Sequence, residues 1–175
     1  NMKDFENEAE RFKQIYNAAW KKNWGFVPVT AAEQTYFQHT LKPFLDPNVC
    51  FFVEKEGQPI GVTLPIPDLN QALIRAYPRP GVPEWWTMLK LLYWWKVRKV
   101  VTIIRAYAGG VIEAYRGQGL DALMGKQVVM ASVQQGYKQM EVSWVLESNT
   151  AMRQEAVMYG GEIYRTYRIY EKALA

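Results

Sequence analysis

Histidine and cysteine are nearly missing from this chain of 175 residues, which has one of each, His39 and Cys50. A lone cysteine forms no internal disulfide, so a disulfide-stapled scaffold is excluded. A zinc centre of the usual Cys/His kind cannot be assembled, and no metal site is expected. A Ser-His-Asp hydrolase would rest entirely on His39, which no hydrolase motif accompanies. Strong net charge is missing too: 21 Lys+Arg against 17 Asp+Glu leave +4. That is too little to argue for nucleic acid, and no nucleic-acid partner is expected. Lys90, Lys96, Arg98 and Lys99 interrupt the apolar stretch from Trp85 to Ile104, so a membrane span is not expected. The N-terminus opens on charged, helical-looking residues instead of a signal-peptide core. A cytoplasmic enzyme or binding domain is the expectation that remains.

What is present suits a packed core. Hydrophobic residues make up 49% and aromatics 14%, enough apolar surface to offset the entropy of ordering. No repeat, low-complexity tract or linker divides the chain, so one domain over 1–175 is expected. Apolar residues at helical spacing predict a helix from Asp4 to Lys22, stopped by Asn23-Trp24-Gly25. Thr30 with Glu33 has the spacing of a capping box and predicts a second helix ending before Pro43. Asn48–Glu54 and Gln58–Pro65, joined at Glu56-Gly57, read as an antiparallel hairpin. A short helix over Asp68–Tyr77 and a proline-rich loop come next. A helix over Glu84–Trp95 and a long strand over Val97–Ile112 follow. After a glycine-rich turn come a helix from Leu120 to Gly136, a strand Gln139–Leu146, a helix Asn149–Tyr159 and a final strand Glu162–Leu174. Helices alternating with strands, plus the early hairpin, predict an α/β (α+β) fold with a mixed central β-sheet flanked by helices.

The turn Tyr115-Arg116-Gly117-Gln118-Gly119 carries the functional signal. A strand, a glycine-rich turn and a helix N-terminus together bind phosphate, because glycines admit close backbone approach and the helix end is electropositive. The Rossmann fingerprint does not fit, since its third glycine is missing, and no Gly-Lys-Ser/Thr of a Walker loop follows. Val111 to Leu123 instead resembles motif A of the GNAT (GCN5-related) N-acetyltransferases, Arg/Gln-x-x-Gly-x-Gly/Ala at a helix start, with Arg116 and Gly119 in the first and fourth positions. Asn149, eleven residues before Gly160, resembles that superfamily's second motif. The element order, from an N-terminal helix pair through the hairpin to the cofactor helix, matches over nearly the whole chain.

The resemblance implies an acetyl-CoA (or other acyl-CoA) co-substrate and a small-molecule or peptide amine acceptor. Backbone groups of Val111 and Glu113 would hold the pantetheine arm between splaying strands. The N–H groups of Gly117, Gln118, Gly119, Leu120 and Asp121 would face the pyrophosphate, with Arg116 adding a side chain and Asn149 reaching from the facing side. The Ala108-Gly109-Gly110 run sits where the superfamily has a bulge; a kink explains it equally. Asp121 stands where the pattern prefers glycine or alanine, and is expected to cap the helix. The tyrosine that protonates the leaving thiolate in many members is Ala156 here. Tyr159, one helical turn on, is the nearest substitute, with Tyr164, Tyr167 and Tyr170 as further candidates. Glu113 and Glu147 are both candidates for the general base. Glu141 and Ser143, on alternate strand positions, are expected to share one side.

Three features stand outside that scheme. Trp85-Trp86 and Trp94-Trp95, beside Lys96, Arg98 and Lys99, suit helix packing, a wall for a long acyl chain, or a membrane-interface patch. Cys50 reads as a buried strand residue and His39 as a surface or satisfied helical one. The expected activity is transfer of an acetyl or other acyl group to an amine. The alternatives are an N-acyl amino acid synthase-like enzyme fed by acyl carrier protein and a non-catalytic acyl-CoA-binding module. The last strands leave a homodimer open.

Overall fold

A computed structural model describes residues 1–23 and 25–172; Trp24 of the first helix stop and Leu174 of the expected last strand lie outside the described residues. The chain divides into two units, Asn1–Ser143 and a second that begins at Trp144.

In the first unit, helix α1 spans Phe5–Ala19 and α2 spans Ala31–Leu41. The Thr30 capping box forms: Thr30 N–H donates to Glu33 Oε2 at 2.9 Å and Glu33 N–H donates to Thr30 Oγ1 at 3.3 Å. Two of the orphan donors at that helix start are thereby satisfied. Strands β1 (Phe51–Lys55) and β2 (Gln58–Pro67) pair antiparallel around Glu56 and Gly57. Both turn residues have positive φ, 52° and 78°, the backbone that matches the twist of a two-residue hairpin. Helices α3 (Asn70–Ala76) and α4 (Glu84–Leu92) lead to β3 (Ile103–Val111), then α5 (Leu120–Gln134) and β4 (Gln139–Val142). The sheet order is β1-β2-β3-β4, with β3 and β4 parallel and the other pairs antiparallel.

Alternation along the strands sends side chains to two cores, one on each face of the sheet. On one face Val62 packs with Ile15 and Ala19 of α1. On the other, Ile104 packs with Ala72 and Ala76 of α3, Leu91 of α4 and Ala131 of α5. Gly61 faces α5: a β-carbon there would stand 3.1 Å from Met124 Sδ, so its absence lets the helix sit close. A buried polar tie joins two distant segments, where Tyr137 Oη donates to Asp46 Oδ2 at 2.9 Å. Burial and then this carboxylate push the Tyr137 phenol up. Tyr137→Phe removes the donor and leaves a buried carboxylate oxygen short of a partner. It should cost about 1–3 kcal/mol, read as a lower urea midpoint with an unchanged slope.

Three expectations need correction. The strand expected from Val97 starts at Ile103, because α4 runs into a wide π turn at Tyr93–Val97 that seats Trp95 in the core, 5% exposed. The strand expected to Leu146 stops at Val142. No strand forms over described residues 161–172, which are exposed throughout. Tyr164, Tyr167 and Tyr170 recur at a spacing of three, which cannot build the period-two face a strand buries. In the second unit, α6 (Thr150–Met158) is the regular element among the described residues.

Candidate functional site

The glycine-rich turn lies between β3 and α5. A single 3-10 turn at Glu113–Tyr115 leads to Gly117 and Gly119, with φ of 74° and 78°. Nothing lies within 4 Å of where a β-carbon would stand on either glycine, so the backbone surface is open. Gly119 is the N-cap of the 15-residue α5, and no side chain caps that end. Asp121 does not act as the expected cap: the helix has already begun at Leu120, and the carboxylate stands in its first turn. There it meets the helix dipole favourably. The N-terminal end of an α-helix is electropositive, which suits it to an anion.

Arg116 braces the turn from within. Its Nε donates to the Val111 carbonyl at 3.0 Å and its Nη2 to the Ala19 carbonyl at the end of α1. Gln118 Nε2 donates back to the Ala114 carbonyl at 3.5 Å. The glycine backbone is therefore the open part of the turn, while both polar side chains are engaged with carbonyls.

Strand β3 parts from β4 just before this turn. β4 pairs with Ile103–Ala106 and ends at Val142, while among the described residues β3 continues to Val111 paired with β2 alone. The register against β2 slips where Leu64 pairs Ala108 and Pro65 pairs Ala106, which makes Tyr107 the extra residue of a β-bulge. The bulge thus falls immediately before the Ala108-Gly109-Gly110 run. Gly110 serves another end, because a β-carbon there would stand 3.0 Å from the Trp20 indole, which lies against it. Ile112 N–H donates to Ile60 of β2. By alternation the N–H groups of Gly109 and Val111 point to the opposite edge, the one β4 has left.

The acidic candidates have different surroundings. Glu113 is exposed and paired with Lys22, whose hydrogen bond and charge hold its carboxyl below the usual range. A carboxylate so lowered is a weaker base. Ser143 Oγ donates to Glu141 Oε1 at 3.1 Å, so these two side chains do share a side. In the second unit, Glu147 pairs with Arg168 at 2.8 Å. Asn149 is the N-cap of α6 and accepts from Met152 N–H at 3.2 Å. Tyr159 is the C-cap of that helix, and Gly160, at φ 78°, ends it. Cys50 immediately precedes β1, and burial pushes its thiol up to about 12, which keeps it un-ionised and inert.

A cavity of about 230 Å³ with mostly apolar walls lies between α1, α2 and the sheet. Ala9, Phe12 and Tyr16 line it from α1, Phe37 and Leu41 from α2, and the bulge residue Tyr107 from β3. Burial and then the neighbouring Tyr107 raise the Tyr16 phenol, keeping it protonated. Tyr16 and Tyr107 were not among the residues the sequence singled out. The one available signal was the position of Tyr107 beside the glycine run.

No family model matches the chain. It is 36% identical over 178 aligned residues to the bacterial ceramide synthase of Caulobacter vibrioides, covering 99% of this chain and 45% of that protein. It is 29% identical to protein YghO of Escherichia coli K12 over the same shares. The chain therefore spans about half the length of the curated relatives it matches. Among solved structures, it superposes with a TM-score of 0.58 on an aminoglycoside 6′-N-acetyltransferase complexed with a CoA-containing bisubstrate analogue. Sequence identity there is 13%, with 96% of this chain and 93% of the other covered. With its four-stranded mixed sheet flanked by helices, this chain has the GNAT fold.

Proposed function

We propose that this chain is an N-acyltransferase domain that moves an acyl group from acyl-CoA to the amine of a long-chain acceptor. The observation that carries the reading is the stretch of β3 beyond its pairing with β4, which runs straight into the open glycine turn. A pantetheine arm would pair with the outward N–H groups of Gly109 and Val111, as a strand pairs with an edge. The pyrophosphate would lie against the backbone of Gly117–Asp121 at the start of α5. On the α1 side of the sheet, the apolar cavity suits a hydrocarbon chain. The similarity to a ceramide synthase supports the same acceptor class, because ceramide is the amide of a long-chain amino alcohol.

In this scheme the neutral amine attacks the thioester carbonyl, polarised by a β3 N–H. The N–C bond forms and the C–S bond breaks. The amine proton passes to a carboxylate, directly or through water, and the departing thiolate takes up a proton. Glu113 keeps its ion pair with Lys22. Glu147→Gln should lower kcat while acyl-CoA affinity stays unchanged if that residue is the base. The same result from Glu113→Gln would transfer the role to that residue.

The cavity also favours a second reading, in which it holds a long acyl chain delivered by acyl carrier protein. Calorimetric titration with acetyl-CoA, followed by thiol release on adding a long-chain amino alcohol, separates the cases. Binding with release supports acyl-CoA transfer. Binding without release on any amine points to an acyl-CoA-binding module, and no binding points to a carrier-protein donor.

A further inference from the structure

The tryptophan-rich segment is divided by the fold in a way the sequence does not announce. Trp94 is half-buried and Trp95 buried, both packed in the core cluster shared by α3, α4 and α5. Trp85 and Trp86 are instead 64% and 47% exposed, with Leu89 and Tyr93 also exposed. At 100° per residue these four positions fall within about a 100° arc of α4 and the turn that follows it. Ile74 of neighbouring α3 and Tyr77, just past its end, are exposed as well.

The segment that carries this face is nearly all of one charge sign. Residues 70–99 contain Arg75, Arg79, Lys90, Lys96, Arg98 and Lys99 against the single acid Glu84. Their net +5 exceeds the +4 of the entire chain, so the remainder is slightly acidic. The cations are interleaved with the rings: Lys90 lies 5.7 Å from the Trp86 ring centre, Arg79 5.8 Å from Tyr77 and Arg98 5.9 Å from Trp94.

We propose that this face seats the protein on an anionic lipid bilayer. Exposed Trp and Tyr, with an apolar body and a polar edge, suit the water–lipid boundary. Surrounding Lys and Arg are attracted to negatively charged headgroups. A second copy presenting the same face would oppose one net-positive segment with another, which argues against a symmetric dimer here. Among the described residues no helix is long and apolar enough to cross a membrane, and the seat proposed is a surface contact made by this face. A seat of this kind would bring a long-chain amine to the enzyme within the plane of its own lipid phase. The seat itself does not depend on the acyl-transfer reading.

The test is co-sedimentation of the purified protein with vesicles of phosphatidylglycerol and phosphatidylcholine, against vesicles of phosphatidylcholine alone. Binding to the anionic vesicles, weakened by salt, is expected. Trp85→Ser with Trp86→Ser should reduce it by about tenfold or more, and so should Arg79→Glu with Lys99→Glu. Tyr36→Ser on α2, an exposed aromatic on the opposite face of the sheet, should leave it unchanged. All these positions are exposed, and retained circular dichroism checks the fold. No binding to anionic vesicles overturns the proposal, as does equal binding to both vesicle types. Self-association that the Trp85/Trp86 pair abolishes, without vesicle binding, also overturns it and assigns the face to a second copy.

Discussion

Gly119→Glu is expected to reduce acyl-CoA affinity by about a hundredfold or more in calorimetric titration. Gly119 has φ of 78°, a region that costs an L-residue about 1–2 kcal/mol. The space beside it is open, so a new side chain meets no steric clash. The larger effect is electrostatic. Like charges about 4 Å apart near a protein surface repel by about 4 kcal/mol, and the pyrophosphate is to lie against this backbone. Gly119→Ala isolates the backbone cost and should weaken binding only several-fold. Equal binding by the Glu variant and the parent protein would reduce the turn to a helix cap and remove the cofactor assignment.

Ala9→Phe should shorten the acceptor the enzyme can use. Ala9 lies on α1 and lines the cavity, so a larger side chain enters existing space without moving the helix. Excluding three or four methylenes, at about 0.8 kcal/mol each, predicts a loss in kcat/KM of roughly a hundredfold for a long-chain amine. A short amine should react as before, and the acetyl-CoA affinity should stay constant. Thermal stability should hold or rise, because a filled cavity regains packing. Loss of activity that follows donor chain length instead would favour the carrier-protein reading.

Local chemistry was the legible part of this sequence. The capping box at Thr30, the Glu56-Gly57 hairpin, Asn149 as N-cap and Gly160 as helix stop depend on residues a few positions apart. The strand, glycine turn and α5 were legible for the same reason. The division of the tryptophans was not, because a π turn rotates Trp95 inward and no spacing rule signals it. The cavity was equally hidden: its walls come from α1, α2 and three strands and meet only after folding. Arg116 offered a tempting phosphate contact, yet the carbonyls of Val111 and Ala19 take its guanidinium. Only the tertiary approach of α1 supplies the second of those partners.

The extra residue in β3 inverts the parity of the strand. Before Tyr107 an even position, Ile104, enters the core beneath α3, α4 and α5. After it an odd position does so, since Val111 lies against Gly61 on the α5 side, and even-numbered Gly110 turns to Trp20 of α1. A regular strand would satisfy one end and misdirect the other, placing either Ile104 or Val111 on the wrong layer. One inserted residue thus has two effects. It breaks the lattice of hydrogen bonds where β3 and β4 separate, and it resets the frame so that both halves of the strand stay in phase with β2.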